Sequence, residues 1–169
     1  MSRARRWRTT SSEQTAALGQ ALGRLLHPGD LVALSGPLGS GKTQFVKGMA
    51  VGLEVPAEEP AVSPTFVLVR EYVGRLRLYH VDAYRLRGGS ELLALGLDEM
   101  LDDPQGVVAV EWADRVAGAL PSCAWRIALA HVDEHTRAIA VSGSDAARLA
   151  ALATAWREIR RRPVDRRPD

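Results

Sequence analysis

The stretch Gly36-Pro37-Leu38-Gly39-Ser40-Gly41-Lys42-Thr43 constrains this chain more than any other, because it fills every fixed position of G-x-x-x-x-G-K-[ST]. Glycines let a backbone wrap closely and turn its N–H groups inward, the lysine reaches β- and γ-phosphates, and the helix that starts there adds the positive end of its dipole. A threonine in the last position offers its hydroxyl to magnesium, which bridges phosphate oxygens. Chance produces such a match in roughly one of several hundred chains of this size. The loop needs a buried strand before it and a helix after it, and both are written in the sequence. Leu31-Val32-Ala33-Leu34 is an apolar run too short for a helix, and Phe45, Val46, Met49, Ala50 and Leu53 recur at helical spacing until Pro56 and Pro60. The candidate nucleotide-binding set is therefore Gly36, Leu38, Gly39, Ser40, Gly41, Lys42, Thr43 and Gln44, with ATP and Mg2+ as the expected ligands.

A phosphate loop also requires an acid for the metal, normally at the carboxyl end of a neighbouring buried strand. Glu111 directly follows Val107-Val108-Ala109-Val110, which makes Thr43 and Glu111 the expected metal ligands. Asp82 closes a second β-rich run, Leu76 to Val81, and is a further acid within reach of the metal or its water shell, although a strand end followed by a turn attracts Asp in any case. Lys42, Glu111 and Asp82 are candidate catalytic residues, and Thr65, in Ser63-Pro64-Thr65, is a candidate for sensing the γ-phosphate. His80 and Trp112 each adjoin a candidate acid; a single His at a strand end is more often structural than a base. The histidines His27, His80, His131 and His135 show no zinc-type spacing.

Elsewhere the pattern is that of one α/β unit. Ser11 followed by Gln14 resembles a capping box, with Ala17, Leu18, Ala21, Leu22, Leu25 and Leu26 at helical period behind it. Phe66–Val69 and Leu76–Val81 read as a hairpin around Gly74, Ser90 to Leu97 as a short helix, Trp125–Ala130 and Arg137–Val141 as strands turning at Asp133-Glu134-His135, and Ala146 to Arg160 as a closing helix. The expected fold is a three-layer α/β P-loop NTPase fold, a parallel core sheet with added antiparallel strands, in a single domain over residues 1–160 with a disordered Arg-rich tail at 161–169. The lone Cys123 excludes an internal disulfide and reads as a small buried hydrophobe. Net charge is only +2, but arginines crowd both ends, where they read as solvated tails. No apolar run approaches the roughly 18 residues of a bilayer span, and the Arg-rich start leads into no apolar segment, so a cytoplasmic protein is expected.

Gly29–Leu31, the phosphate loop, Ser63-Pro64-Thr65, His80-Val81-Asp82-Ala83-Tyr84-Arg85 and Glu111-Trp112 follow in the order and spacing of the TsaE (YjeE) family, which this sequence resembles over roughly residues 11 to 142. The S-P-T, H-x-D-x-Y-R and E-W set is far more discriminating than the loop alone. The resemblance implies a bacterial ATPase that supports formation of N6-threonylcarbamoyladenosine at position 37 of tRNAs reading codons that begin with A. It implies TsaD and TsaB as partners, with ATP hydrolysis supporting turnover of their complex and tRNA reached only through it. It places Thr65 and Asp82 in switch-like segments, packs Trp112 near the nucleotide, and makes Ser11 and Arg137 candidates for the adenine edge. Phe66 stands where the family often has tyrosine, and the arginines beyond Arg157 have no counterpart in the pattern.

Among rivals, a GTPase lacks support because no N-K-x-D for guanine follows the loop. A small-molecule kinase would need an Arg-rich lid, for which only Arg85 and Arg87 beside Gly88-Gly89 are available. A nucleotide-gated interaction module whose slow hydrolysis times partner binding is compatible with the family role. No arginine finger is evident; Arg85 or a partner would have to supply one, so weak hydrolysis by the isolated chain is expected.

Overall fold

The computed structural model describes residues 4–58 and 68–161 of the 169-residue chain. Ser63-Pro64-Thr65, Phe66, and all of the Arg-rich tail but Arg161 lie outside the described residues. One seven-stranded sheet, ordered β1-β7-β6-β2-β5-β4-β3, carries the fold. Its strands are β1 (Arg5–Thr9), β2 (Leu31–Ser35), β3 (Val69–Val73), β4 (Arg77–Asp82), β5 (Gly106–Glu111), β6 (Trp125–His131) and β7 (Arg137–Ser142). The central strands β6, β2, β5 and β4 run parallel, while at the edges β7 pairs antiparallel with β6, β1 antiparallel with β7, and β3 antiparallel with β4. This is the parallel core with antiparallel additions expected from sequence.

Alternation along β2 separates the two cores that the sheet divides. Val32 and Leu34 point toward α1 (Ser12–Gly23), α2 (Lys42–Gly52) and α5 (Ala146–Arg161), in a cluster with Leu18, Phe45, Met49, Trp125 and Trp156. Leu31 and Ala33 point the other way, toward α3 (Gly89–Ala94), α4 (Leu97–Asp102) and the 3-10 helix Ala113–Ala119. Strand β5 is buried along its whole length, as its unbroken apolar run demands. Helices α1 and α2 pack closely because Gly48 has no side chain; a Cβ there would overlap the Ala16 carbonyl oxygen. Ser11 caps α1, its Oγ accepting from the Gln14 amide at 3.1 Å, while the Gln14 side chain reaches back to the Thr10 amide at 2.9 Å.

Several expectations are corrected. The N-terminal arginines do not form a loose tail: Arg5–Thr9 is an edge strand paired with β7, with Trp7 packed on Trp156 at 6.2 Å between ring centroids. Its charged side chains stay exposed, as edge strands tolerate. At the other end, Arg157, Arg160 and Arg161 belong to α5 and also project into solvent. Among the described residues the hairpin's first strand is Val69–Val73, whose residues pair in order with Val81 to Arg77 across the Gly74 turn. The helix expected over Ser90 to Leu97 breaks at Gly96, whose φ of +93° starts α4. Cys123 is exposed, not buried, since it sits in the turn that leads into β6. No helix among the described residues is long and apolar enough to cross a membrane.

Candidate functional site

Strand β2 ends at Ser35 and the chain turns through Gly36, Gly39 and Gly41 at φ of +144°, +74° and +102°, conformations that side chains other than glycine's rarely adopt. At Gly36 a Cβ would also collide with the Leu129 carbonyl, and Gly41 stands as the N-cap of α2. The loop is braced from the β6–β7 hairpin: His131 Nε2 lies 3.2 Å from the Leu38 carbonyl oxygen, and Arg137 donates to Gly39 O at 3.4 Å and to Asp133 O at 3.0 Å. Neither brace could be found without knowing that β6 lies beside β2.

Lys42 is 5 % exposed, and its Nζ donates to Gly36 O at 2.7 Å and Pro37 O at 3.0 Å while lying 3.8 Å from the centroid of the Trp112 ring. Burial pushes this ammonium below the usual lysine range, and the carboxylates of Glu111, Asp114 and Asp82 oppose that shift. The indole reaches the lysine because Trp112, a non-glycine residue at φ +58°, turns the chain sharply after β5. Tyr84 packs on Trp112 at 4.9 Å, and the Arg115 guanidinium lies 4.9 Å from the Tyr84 ring.

The acids meet because β4 and β5 are parallel and in a register that sets Asp82 beside Glu111 and Leu34 beside Glu111. Thr43 Oγ1, in the first turn of α2, donates to Glu111 Oε1 at 3.0 Å and Oε2 at 3.1 Å. Glu111 is 2 % exposed and also meets His80 Nε2 at 2.8 Å. Asp82 Oδ1 accepts from the Tyr84 amide at 2.9 Å. These groups open onto a cavity of about 550 Å³ lined by Leu38 to Gln44, Asp82, Tyr84, Glu111 and Trp112. A smaller cavity of about 180 Å³ adjoins it at Gly41 and Gln44, and brings together Ser11 and Arg137, the two residues expected at the adenine edge. Thr65 lies outside the described residues, so the site is built without it.

The donor set fits a magnesium nucleotide. A hydroxyl and a carboxylate in mutual contact are hard oxygen ligands of the kind Mg2+ selects, and they leave room for phosphate oxygens and water on the cavity side. Ser40 Oγ is buried with no partner among the described residues, a polar atom facing into the loop. Sequence reasoning overlooked Tyr84 as a lining residue, although it stands inside H-x-D-x-Y-R, and left His80 undecided.

A buried strand, a glycine-turned anion loop opening a helix, and an acid at the end of the adjacent parallel strand define the P-loop NTPase fold. The family model for "Threonylcarbamoyl adenosine biosynthesis protein TsaE" matches residues 9–139. The chain belongs to the TsaE family. A TsaE protein of Treponema pallidum is 42% identical over 132 residues, covering 78% of this chain and 96% of that protein, and one of Bacillus subtilis is 41% identical over 135 residues, covering 79% and 82%. The crystal structure of Bacillus subtilis YdiB superposes with a TM-score of 0.75 at 32% identity, over 94% of this chain and 97% of that one.

Proposed function

We propose that this protein binds ATP with magnesium, hydrolyses it, and thereby supports the threonylcarbamoyladenosine modification of tRNA in the cytoplasm, acting with TsaB and TsaD. The observation that carries the reading is the Thr43–Glu111 contact at the mouth of the glycine loop, which assembles a hard oxygen metal site where a triphosphate tail would lie. The names of the relatives supply the process.

In this reading Lys42 leaves the carbonyls of Gly36 and Pro37 to meet the β- and γ-phosphates, a short movement for a side chain already at the loop's centre. Loop amides and the start of α2 stabilise charge on the phosphates. Magnesium would be held by Thr43 and Glu111 and would supply charge neutralisation on the phosphates. Asp82 faces the same cavity and orients water near the metal. Trp112 and Tyr84 wall the phosphate side, and Ser11 and Arg137 line the extension that suits the base. Catalysis is then positioning plus electrostatics, with no covalent role for the protein.

Steady-state ATP hydrolysis with magnesium, first alone and then with TsaB, TsaD and tRNA, tests this. Stimulation by the partners that disappears in Lys42→Ala supports it. Unchanged hydrolysis with phosphate transfer to a small metabolite would replace it with the kinase reading, which the geometry favours less: Arg87, a lid-like candidate in sequence, is paired with Glu91 at 2.9 Å.

A further inference from the structure

We infer that His80 is a positioning residue for the magnesium site, holding the Glu111 carboxylate in the orientation that leaves it free to bind metal. The inference rests on the assignment of Glu111 as a metal ligand.

His80 lies on β4 opposite Ala109 of β5, two residues before the Asp82–Glu111 pair, so its ring reaches forward along the sheet to the end of the neighbouring strand. The ring is completely buried, and its Nε2 stands 2.8 Å from Glu111 Oε1. Oε1 is also 3.0 Å from Thr43 Oγ1, so one carboxylate oxygen is gripped from two elements, β4 and α2. Among the described residues, the second oxygen, Oε2, meets the same hydroxyl at the longer distance of 3.1 Å. A hydroxyl alone, which rotates, leaves the carboxylate free to turn, whereas a second donor on a buried ring holds it. The imidazole therefore sets the rotamer of Glu111.

The other face of the ring identifies the donor. Nδ1 is buried with no partner among the described residues. A proton there would be an unsatisfied buried donor costing about 1–3 kcal/mol, while a bare lone pair at that atom is far cheaper. The proton consequently sits on Nε2, between ring and carboxylate, and the ring donates to Glu111. This is the arrangement by which outer groups orient metal-binding side chains, and loss of such a partner typically weakens metal binding by about 10–100-fold. A histidine kept for packing alone would not place its one protonated nitrogen on the metal-binding acid.

The test uses the full chain and fluorescent ADP, titrated once with saturating magnesium and once in EDTA, with magnesium half-saturation measured separately. His80→Leu keeps bulk and removes the donor. His80→Gln carries an amide nitrogen at nearly the distance of Nε2, and His80→Asn carries one too short to reach Glu111. We expect His80→Leu and His80→Asn to raise the magnesium half-saturation about 10–100-fold and to lose most of the affinity that magnesium adds, with affinity in EDTA within about twofold of the parent. His80→Gln should recover most of the loss. Hydrolysis should follow the same order through its magnesium dependence, with full rate regained at high magnesium. If His80→Leu does not fold, the Gln and Asn pair still decides the matter. Equal magnesium dependence in His80→Gln and His80→Asn, or an equal loss of affinity in EDTA, overturns the inference while leaving the ATPase reading intact. Absence of any magnesium effect on ADP binding by the unmodified chain would overturn both.

Discussion

Strand β2 has a charged cluster at each end, and the two are built on opposite plans. At its amino end, Asp30 binds the Arg148 guanidinium through both carboxylate oxygens, and Arg148 reaches on to Asp145 at 2.9 Å and to the Leu25 carbonyl at 3.3 Å. Asp145 in turn caps α5, accepting from the Arg148 amide at 2.9 Å. Each charge there is answered by a group of opposite sign from the chain itself, and the cluster ties α5 to the start of β2. At the carboxyl end, Glu111 and Asp82 face Lys42, whose ammonium is occupied by loop carbonyls and an indole. That end opens on a cavity lined by both acids and by the lysine. Charges that stabilise a fold are closed on themselves, whereas charges arranged for a ligand are left to be completed by it.

The most severe test of this contrast is Glu111→Gln, which keeps shape and removes charge. Magnesium-dependent hydrolysis should fall at least about 100-fold, the scale on which loss of one preorganised electrostatic contact slows an enzyme. ADP affinity in EDTA should change little, and full hydrolysis in this variant would remove Glu111 from the metal site. Next in size is Lys42→Ala. Loss of a charge-assisted bond to phosphate worth about 3 kcal/mol corresponds to about 100-fold weaker ATP binding by calorimetry. The melting temperature without nucleotide should stay the same or rise, since burial holds this ammonium below its ordinary range and its removal relieves that penalty.

The amino-end cluster should answer in the opposite currency. Arg148→Ala leaves Asp30 and Asp145 without their cation in a partly buried setting, and about 2 kcal/mol of stability should be lost, or about 4–8 °C in melting temperature for a chain of this size. ADP affinity measured well below the melting temperature should be unchanged within about twofold. A variant that melted normally but bound nucleotide poorly would break the division of labour between the two ends.

The two ends also differ in how far sequence exposes them. Gly36–Thr43 and Glu111 are legible because the anion loop has a fixed spelling and the metal acid follows an apolar run; both are local signals. The strands and helices around them were readable for the same reason, from β2 through α2 and from β6 to α5. Contacts set by register were not. His80 meets Glu111 only because β4 and β5 align in parallel, and Arg148 meets Asp30 across 118 positions of sequence. Strand β1 escaped notice because Arg5-Arg6-Trp7-Arg8-Thr9 has one large apolar residue, and its pairing partner β7 lies at the far end of the chain. The alternation that buries Thr9 and half-buries Trp7 was the available clue. For α4, Leu97, Met100 and Leu101 already stood at helical spacing, but the break at Gly96 separates it from α3.

The smallest expected effect concerns acid. Hydrogen bonds from the Arg148 amide and then from its guanidinium hold the Asp145 carboxyl below its ordinary value of 3.8. A carboxyl whose folded value is depressed adds stability that is fully present above the unfolded value and lost as pH falls through the folded one. The stabilising share of Asp145 is therefore intact at neutral pH and fades only below about pH 4. Asp145→Asn retains an oxygen to cap α5 but cannot titrate, so its melting temperature, lower than the parent's at pH 7, should converge on the parent's between about pH 4 and pH 2.5. Asp133, which is also held low by its turn amides, contributes equally to both proteins and cancels in the difference. Parallel melting curves across that range would mean that Asp145 acts as a cap alone, with its charge contributing nothing, and the amino-end cluster would then reduce to the single pair of Asp30 and Arg148.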